Sequence, residues 1–203
     1  MPNNEARTPP DSEVESLFNL YNAGDFIGAE NFCRNLLKTY PDSAVVSNML
    51  GVVFMAQDKP TQALVAYENT VKKNPDYPDV YNNLGILLNS LGQFDEAINK
   101  FAKAVQLDPD FGDALNNLGA MLQNLNQHEQ ALTHLSRAVT LSPRSPLAYF
   151  NYANSLKATD RKDAALENYD RAIKLHPSFS LAFNNRGNLL QSMTRYEESS
   201  RSF

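Results

Sequence analysis

Cysteine is nearly absent from this chain. Cys33 stands alone among 203 residues, so no intrachain disulfide can form, and its neighbours make it a packing residue. Runs of lysine and arginine are also missing. With a net charge of −5 and a pI near 5.2, the chain lacks the clustered cations from which phosphate binding draws its affinity, so no nucleic-acid partner is expected. The longest apolar stretch, about residues 49 to 56, falls far short of the roughly 18 to 20 residues a membrane span requires. The opening MPNNEARTPPDSEVES has no apolar signal-peptide core, so a soluble, cytoplasmic chain with no membrane partner is expected.

Catalytic signals are missing as well. The histidines occupy unrelated places: His128 in an expected inter-helix loop, His134 on a helix, and His176 before a helix-ending proline. None has a second ligand at i+3 or i+4, and no glycine-rich phosphate loop or nucleophile elbow occurs. The expectation is a non-enzyme with solvent-exposed histidines, no metal and no cofactor.

What the chain has is a period. Pro41, Pro75, Pro109, Pro143 and Pro177 stand 34 residues apart. Ala29, Ala63, Ala97, Ala131 and Ala165 keep the same step, as do Gly51, Gly85, Gly119 and Gly187, with Ala153 replacing glycine once. Such a period marks an array of identical supersecondary elements. Aligned on the prolines, the repeats are residues 10–43, 44–77, 78–111, 112–145, 146–179 and an incomplete 180–203. Residues 1–10 read as a disordered N-terminal tail, with the array over 11–203.

With each repeat numbered from its first residue, positions 4, 7, 8 and 11 trace one apolar stripe, as in Leu115, Leu118, Gly119 and Leu122. Positions 20, 24, 27 and 28 trace a second, as in Ala97, Phe101, Ala104 and Val105. Each repeat is therefore a pair of helices around a short polar break at positions 14 to 17, which forces an antiparallel hairpin. Small residues at positions 8 and 20 let the paired helices approach to roughly 8 Å. Proline at position 32 ends the second helix, whereas Pro60, Pro78 and Pro146 fall in first turns, where a missing N–H is harmless. Ser12 and Glu15 predict a capping box at the first helix.

This pattern, with glycine at 8, alanine at 20 and 27, an aromatic or leucine at 24 and proline at 32, resembles the tetratricopeptide repeat over residues 11 to 203. The resemblance implies an all-α fold, a right-handed superhelix (α-solenoid) of stacked helix pairs, and a scaffold that binds a protein or extended peptide. The first repeat is degenerate, with Leu17 and Leu36 in place of the small residues. The sixth stops at Phe203, position 24, without a polar capping helix. Such an end exposes an apolar face, which predicts the front portion of a longer protein or an open reading frame cut short, and it allows self-association by stacking on a second copy.

In arrays of this kind the first helices line the concave groove. Its predicted lining here is rich in amides: Asn83, Asn117, Asn151 and Asn185 at position 6, Asn82, Asn116 and Asn184 at position 5, Asn154 and Asn188 at position 9, and Gln123 and Gln191 at position 12. A carboxamide pairs with both groups of a peptide bond, so a ladder of them could grip an extended backbone whatever its side chains. Alternatively the same amides tie neighbouring first helices together. A similar ladder at position 6 marks the repeat regions of O-GlcNAc transferases. Repeats five and six also resemble arrays that precede SPINDLY-type glycosyltransferase or sulfotransferase domains. The alternative function is thus the substrate-recruiting arm of a larger enzyme. Phe18, Val45, Met49, Val52 and Met55 give the front of the groove an apolar character, suited to an adaptable contact surface or to a packed cap.

Overall fold

The computed structural model describes residues 8–200, with side chains to residue 194. The part of the expected tail before residue 8, and Phe203, lie outside the described residues. Among those described, every regular element is α-helical. The chain divides after Asp108 into two compact units. The first holds α1 (Asp11–Asn22), α2 (Phe26–Thr39), α3 (Ala44–Ala56), α4 (Pro60–Lys73), α5 (Pro78–Ser90) and α6 (Phe94–Leu107). The second holds α7 (Gly112–Asn124), α8 (His128–Leu141), α9 (Pro146–Ala158), α10 (Lys162–Leu175) and α11 (Ser180–Ser200). Helices pair in sequence order, and within each unit consecutive pairs stack.

Close packing of each pair depends on position 8. A Cβ added at Gly51 would stand 2.3 Å from the Tyr67 ring, at Gly85 2.6 Å from the Phe101 ring, and at Gly119 2.5 Å from Leu135 Cγ. Each partner is the position-24 residue of the same repeat, and all three are buried. The alanines at position 20 (Ala63, Ala97, Ala131, Ala165) have no exposed surface, so the crossing is closed from both sides. In the second unit Tyr169 occupies position 24 against Ala153, within a core completed by Leu132, Leu156, Ala172 and Leu189. Cys33 is fully buried, and burial pushes its thiol up to about 12, as suits packing rather than reaction.

The breaks are one residue shorter than positions 14 to 17, because the second helices already begin at position 17. Their geometry is uniform. Gly24, Asp58, Gly92, Asn126 and Asp160, all at position 15, have φ between 57° and 77°. The next residue donates back to the carbonyl five residues earlier, as in Lys59 to Phe54, Gln93 to Leu88, Gln127 to Leu122 and Arg161 to Leu156, at 2.8 to 2.9 Å. This is the Schellman C-cap, which requires a left-handed residue and therefore selects Gly, Asn or Asp. At the other end of each complete repeat the last residue before the position-32 proline has left the helical region, with Asn74 at φ −133° and ψ 72°, so the proline follows a finished helix.

Two expectations are corrected. The sixth repeat forms no hairpin among the described residues: α11 runs without a break from Ser180 to Ser200. Position 15 is here Thr194, a β-branched residue for which the left-handed conformation is strained, and the helix continues through it. Accordingly a Cβ at Gly187 would meet nothing within 4 Å. The capping box at Ser12 and Glu15 also does not form. The N-cap is Pro10, without a side-chain cap, and Ser12 lies inside α1, where its carbonyl accepts from the Ser16 hydroxyl. Side-chain caps occur instead at Asp25, Ser43 and Ser145.

Candidate functional site

The amides of the predicted groove sit on first helices, and their hydrogen bonds follow the repeat. In the first unit Asn83 Nδ2 on α5 donates to Asn48 Oδ1 on α3 at 3.0 Å. In the second unit Asn151 Nδ2 on α9 donates to Asn116 Oδ1 on α7, also at 3.0 Å. In both, position 6 of one repeat reaches position 5 of the repeat before it. Asn48 and Asn116 are only 8 % and 7 % exposed, because the following first helix covers them. Asn82 is likewise buried, and Asn117 is half-buried on α7.

The last first helix departs from this rule for a visible reason. Position 5 of the fifth repeat is Phe150, which has no acceptor. Asn185 Nδ2 therefore donates to Asn154 Oδ1, at position 9, at 2.9 Å, and the Tyr169 hydroxyl donates to the same oxygen at 2.6 Å. Gln123 Nε2 donates to the Asn151 carbonyl and to Ser155 Oγ, a second link between α7 and α9. Asn184, Asn188 and Gln191 are exposed on α11 and not gathered with the others. The tie between helices is thus present, yet it uses one N–H of a group that has two donors and two acceptor lone pairs. The bond fixes where each amide points, but Asn151, expected in the groove lining, is only 8 % exposed, whereas Asn83 and Asn185 are half-buried.

At the front of the first unit, Phe18, Val45, Met49 and Val52 line a pocket of about 320 Å³. Phe18 is 44 % exposed, whereas Met49 is buried, so the front is part contact surface and part packing. Its polar side is formed by Asn48, Tyr77, Asp79 and Asn83. Burial pushes Tyr77 up to about 12, and the Asp79 charge adds to the rise. Burial also raises Asp79, with Asp108 contributing. Asn48, Tyr77, Tyr169 and Ser155 were missed as site residues. Only Asn48 carried a signal, since it keeps the 34-residue register of Asn82 and Asn116.

The histidines differ in part from the expectation. His128 is the first residue of α8, half-buried, with its Nδ1 buried and unpartnered among the described residues. His134 is half-buried on α8; burial, then the Arg137 charge, holds it below the ordinary histidine range. His176 is exposed, as expected. Among the described residues no group of His, Cys, Asp and Glu side chains could hold a metal ion, and no helix is long and apolar enough to cross a membrane.

A tetratricopeptide repeat family model matches residues 48–110 and 117–178, and a second model of the same description matches residues 88–139. No curated protein matches the sequence significantly. Among solved structures, the chain resembles pilF of Pseudomonas aeruginosa at 21 % identity and TM-score 0.73, covering 98 % of this chain and 99 % of that one. It resembles a thermophilic repeat protein of Thermus thermophilus at 19 % identity and TM-score 0.69, covering 89 % and 98 %. YrrB, described as having an unusual peptide-binding site, aligns at 21 % identity and TM-score 0.63, covering 86 % and 90 %. At these identities the likeness is one of fold.

Proposed function

Because the chain belongs to the tetratricopeptide repeat family, whose arrays are generally non-catalytic scaffolds for protein–protein interaction, we propose that the first-helix face of each compact unit binds an extended peptide segment of a partner protein. The observation that carries the reading is the fixed amide series. Asn83 and Asn185, both half-buried, each spend one donor on a neighbouring first helix, which pre-orients the side chain and lowers the entropy lost when a peptide backbone pairs with it. Asparagine also costs a few tenths of a kcal/mol in mid-helix, and a binding role offsets that cost. The uncovered flank of α11 at Gly187, with Phe183 and Leu190 exposed nearby in sequence, makes self-association a second property to test by sedimentation.

The test is side-chain amide NMR on the full chain, titrated with a pool of blocked heptapeptides of randomised sequence. The reading expects the Nδ2 resonances of Asn83, Asn117 and Asn185 to shift. Shifts confined to the second helices would replace it with a scaffold that binds through its outer face.

A further inference from the structure

The pocket at the front of the first unit differs in chemistry from the amide face. Phe18, Val45, Met49 and Val52 supply an apolar wall. Across from it, Asn48, Tyr77, Asp79 and Asn83 form a polar wall, in which Asn83 donates to Asn48 at 3.0 Å. Asp79 is the carboxylate of that wall, and when ionised it only accepts. Among the described residues Asp79 has no lysine or arginine within salt-bridge distance. A half-buried carboxylate with no cation beside it is an arrangement that a cationic ligand stabilises.

We propose that this pocket is a sequence-selective subsite that seats an apolar side chain of the bound peptide while an adjacent lysine or arginine pairs with Asp79. The inference rests on the peptide-binding reading and names which peptides the first unit prefers. The amide face reads the backbone, and the pocket reads one apolar-basic pair. Asp79→Asn keeps the size of the group but removes the charge, so it separates ligand recognition from folding.

The test uses the native chain and Asp79→Asn, with helicity checked by circular dichroism, on an array of blocked heptapeptides of randomised sequence. Retained peptides should be enriched in Arg or Lys next to Phe, Leu or Met. Replacing that cation with glutamine should weaken binding by about tenfold or more, as loss of a charge-assisted hydrogen bond does. Asp79→Asn should erase the preference for the cation and leave weaker, sequence-tolerant binding. Phe18→Ser should erase the preference for the apolar neighbour. Binding without a cation preference, or a preference that survives in Asp79→Asn, overturns this subsite and leaves the peptide-binding reading intact. If the native chain retains no peptide at all, both fall together.

Discussion

Replacing glycine by alanine at Gly119 and, separately, at Gly187 isolates the steric requirement at the helix crossing. Both residues occupy position 8 of a repeat in the second compact unit, and both lie inside helices. The gain in helix propensity, about 1 kcal/mol, is therefore common to the two. Their surroundings differ. A Cβ at Gly119 would stand 2.5 Å from Leu135 Cγ and 2.7 Å from its Cδ2, whereas at Gly187 it meets nothing within 4 Å. Overpacking of a well-filled crossing costs roughly 1 to 3 kcal/mol. Ala153 against Tyr169 shows that this crossing can accept one methyl once the helices adjust, which places Gly119→Ala toward the lower end of that range. Gly187→Ala should thus stabilise by up to about 1 kcal/mol, and Gly119→Ala should be neutral or destabilising by up to about 1 kcal/mol. In urea denaturation followed by circular dichroism, the difference between the variants measures the steric cost alone. Equal shifts at the two sites would refute the argument that the second helix of the repeat makes position 8 small.

Three further predictions follow from the same structure. Asp160→Gly should raise stability by up to about 1 kcal/mol, and Gly92→Thr should lower it by about 1 to 2 kcal/mol, in thermal or urea unfolding, because both positions are left-handed, at φ 60° and 77°. Asn151→Ala should cost about 1 to 3 kcal/mol, since it leaves the buried Asn116 oxygen without its donor. The exposed Asn188→Ala should stay within about 0.5 kcal/mol in the same unfolding assay. The pH dependence should carry two opposite contributions. Asp79 is raised in the folded state, chiefly by burial, so its contribution favours folding as pH falls through the folded value, and Asp79→Asn removes it. Burial also pushes Glu30 up, but hydrogen bonds from Arg34, Gln57 and Lys59 outweigh it and hold the carboxyl low. That stability is present above the unfolded value and lost as pH falls through the folded one, and Glu30→Gln removes it; urea midpoints from pH 3 to 7 read both, with the pH range set by ordinary carboxylate values of about 4.

The period, the paired helices and the role of position 8 were legible because each rests on one residue type repeated at one spacing. Position 15 was not legible, because Gly, Asp and Asn share a backbone conformation without sharing a side chain, so the series Gly24, Asp58, Gly92, Asn126, Asp160 does not look like a repeat. Its interruption at Thr194, which explains the continuous α11, was overlooked for the same reason. Ser12 failed as a cap because a helix start can slide by two residues, here to Pro10, while Leu17 stays buried, and two prolines before it suit either register. In the candidate site, the residue types on the first helices were legible, but their pairing was not. Whether Asn185 bonds position 5 or position 9 depends on Phe150 in the neighbouring repeat, a tertiary fact.

The central claim is that the oriented amides grip a peptide through its backbone. Substituting the asparagines confounds binding with the loss of helix ties, so the direct measurement alters the peptide and leaves the protein native. Isothermal titration of the full chain should compare one peptide retained on the array with the same sequence N-methylated at alternate backbone nitrogens. Each lost backbone hydrogen bond removes about 0.5 to 1.5 kcal/mol, so loss of three or four should weaken affinity by about tenfold or more. Equal affinity for the methylated and unmethylated peptides would contradict the account.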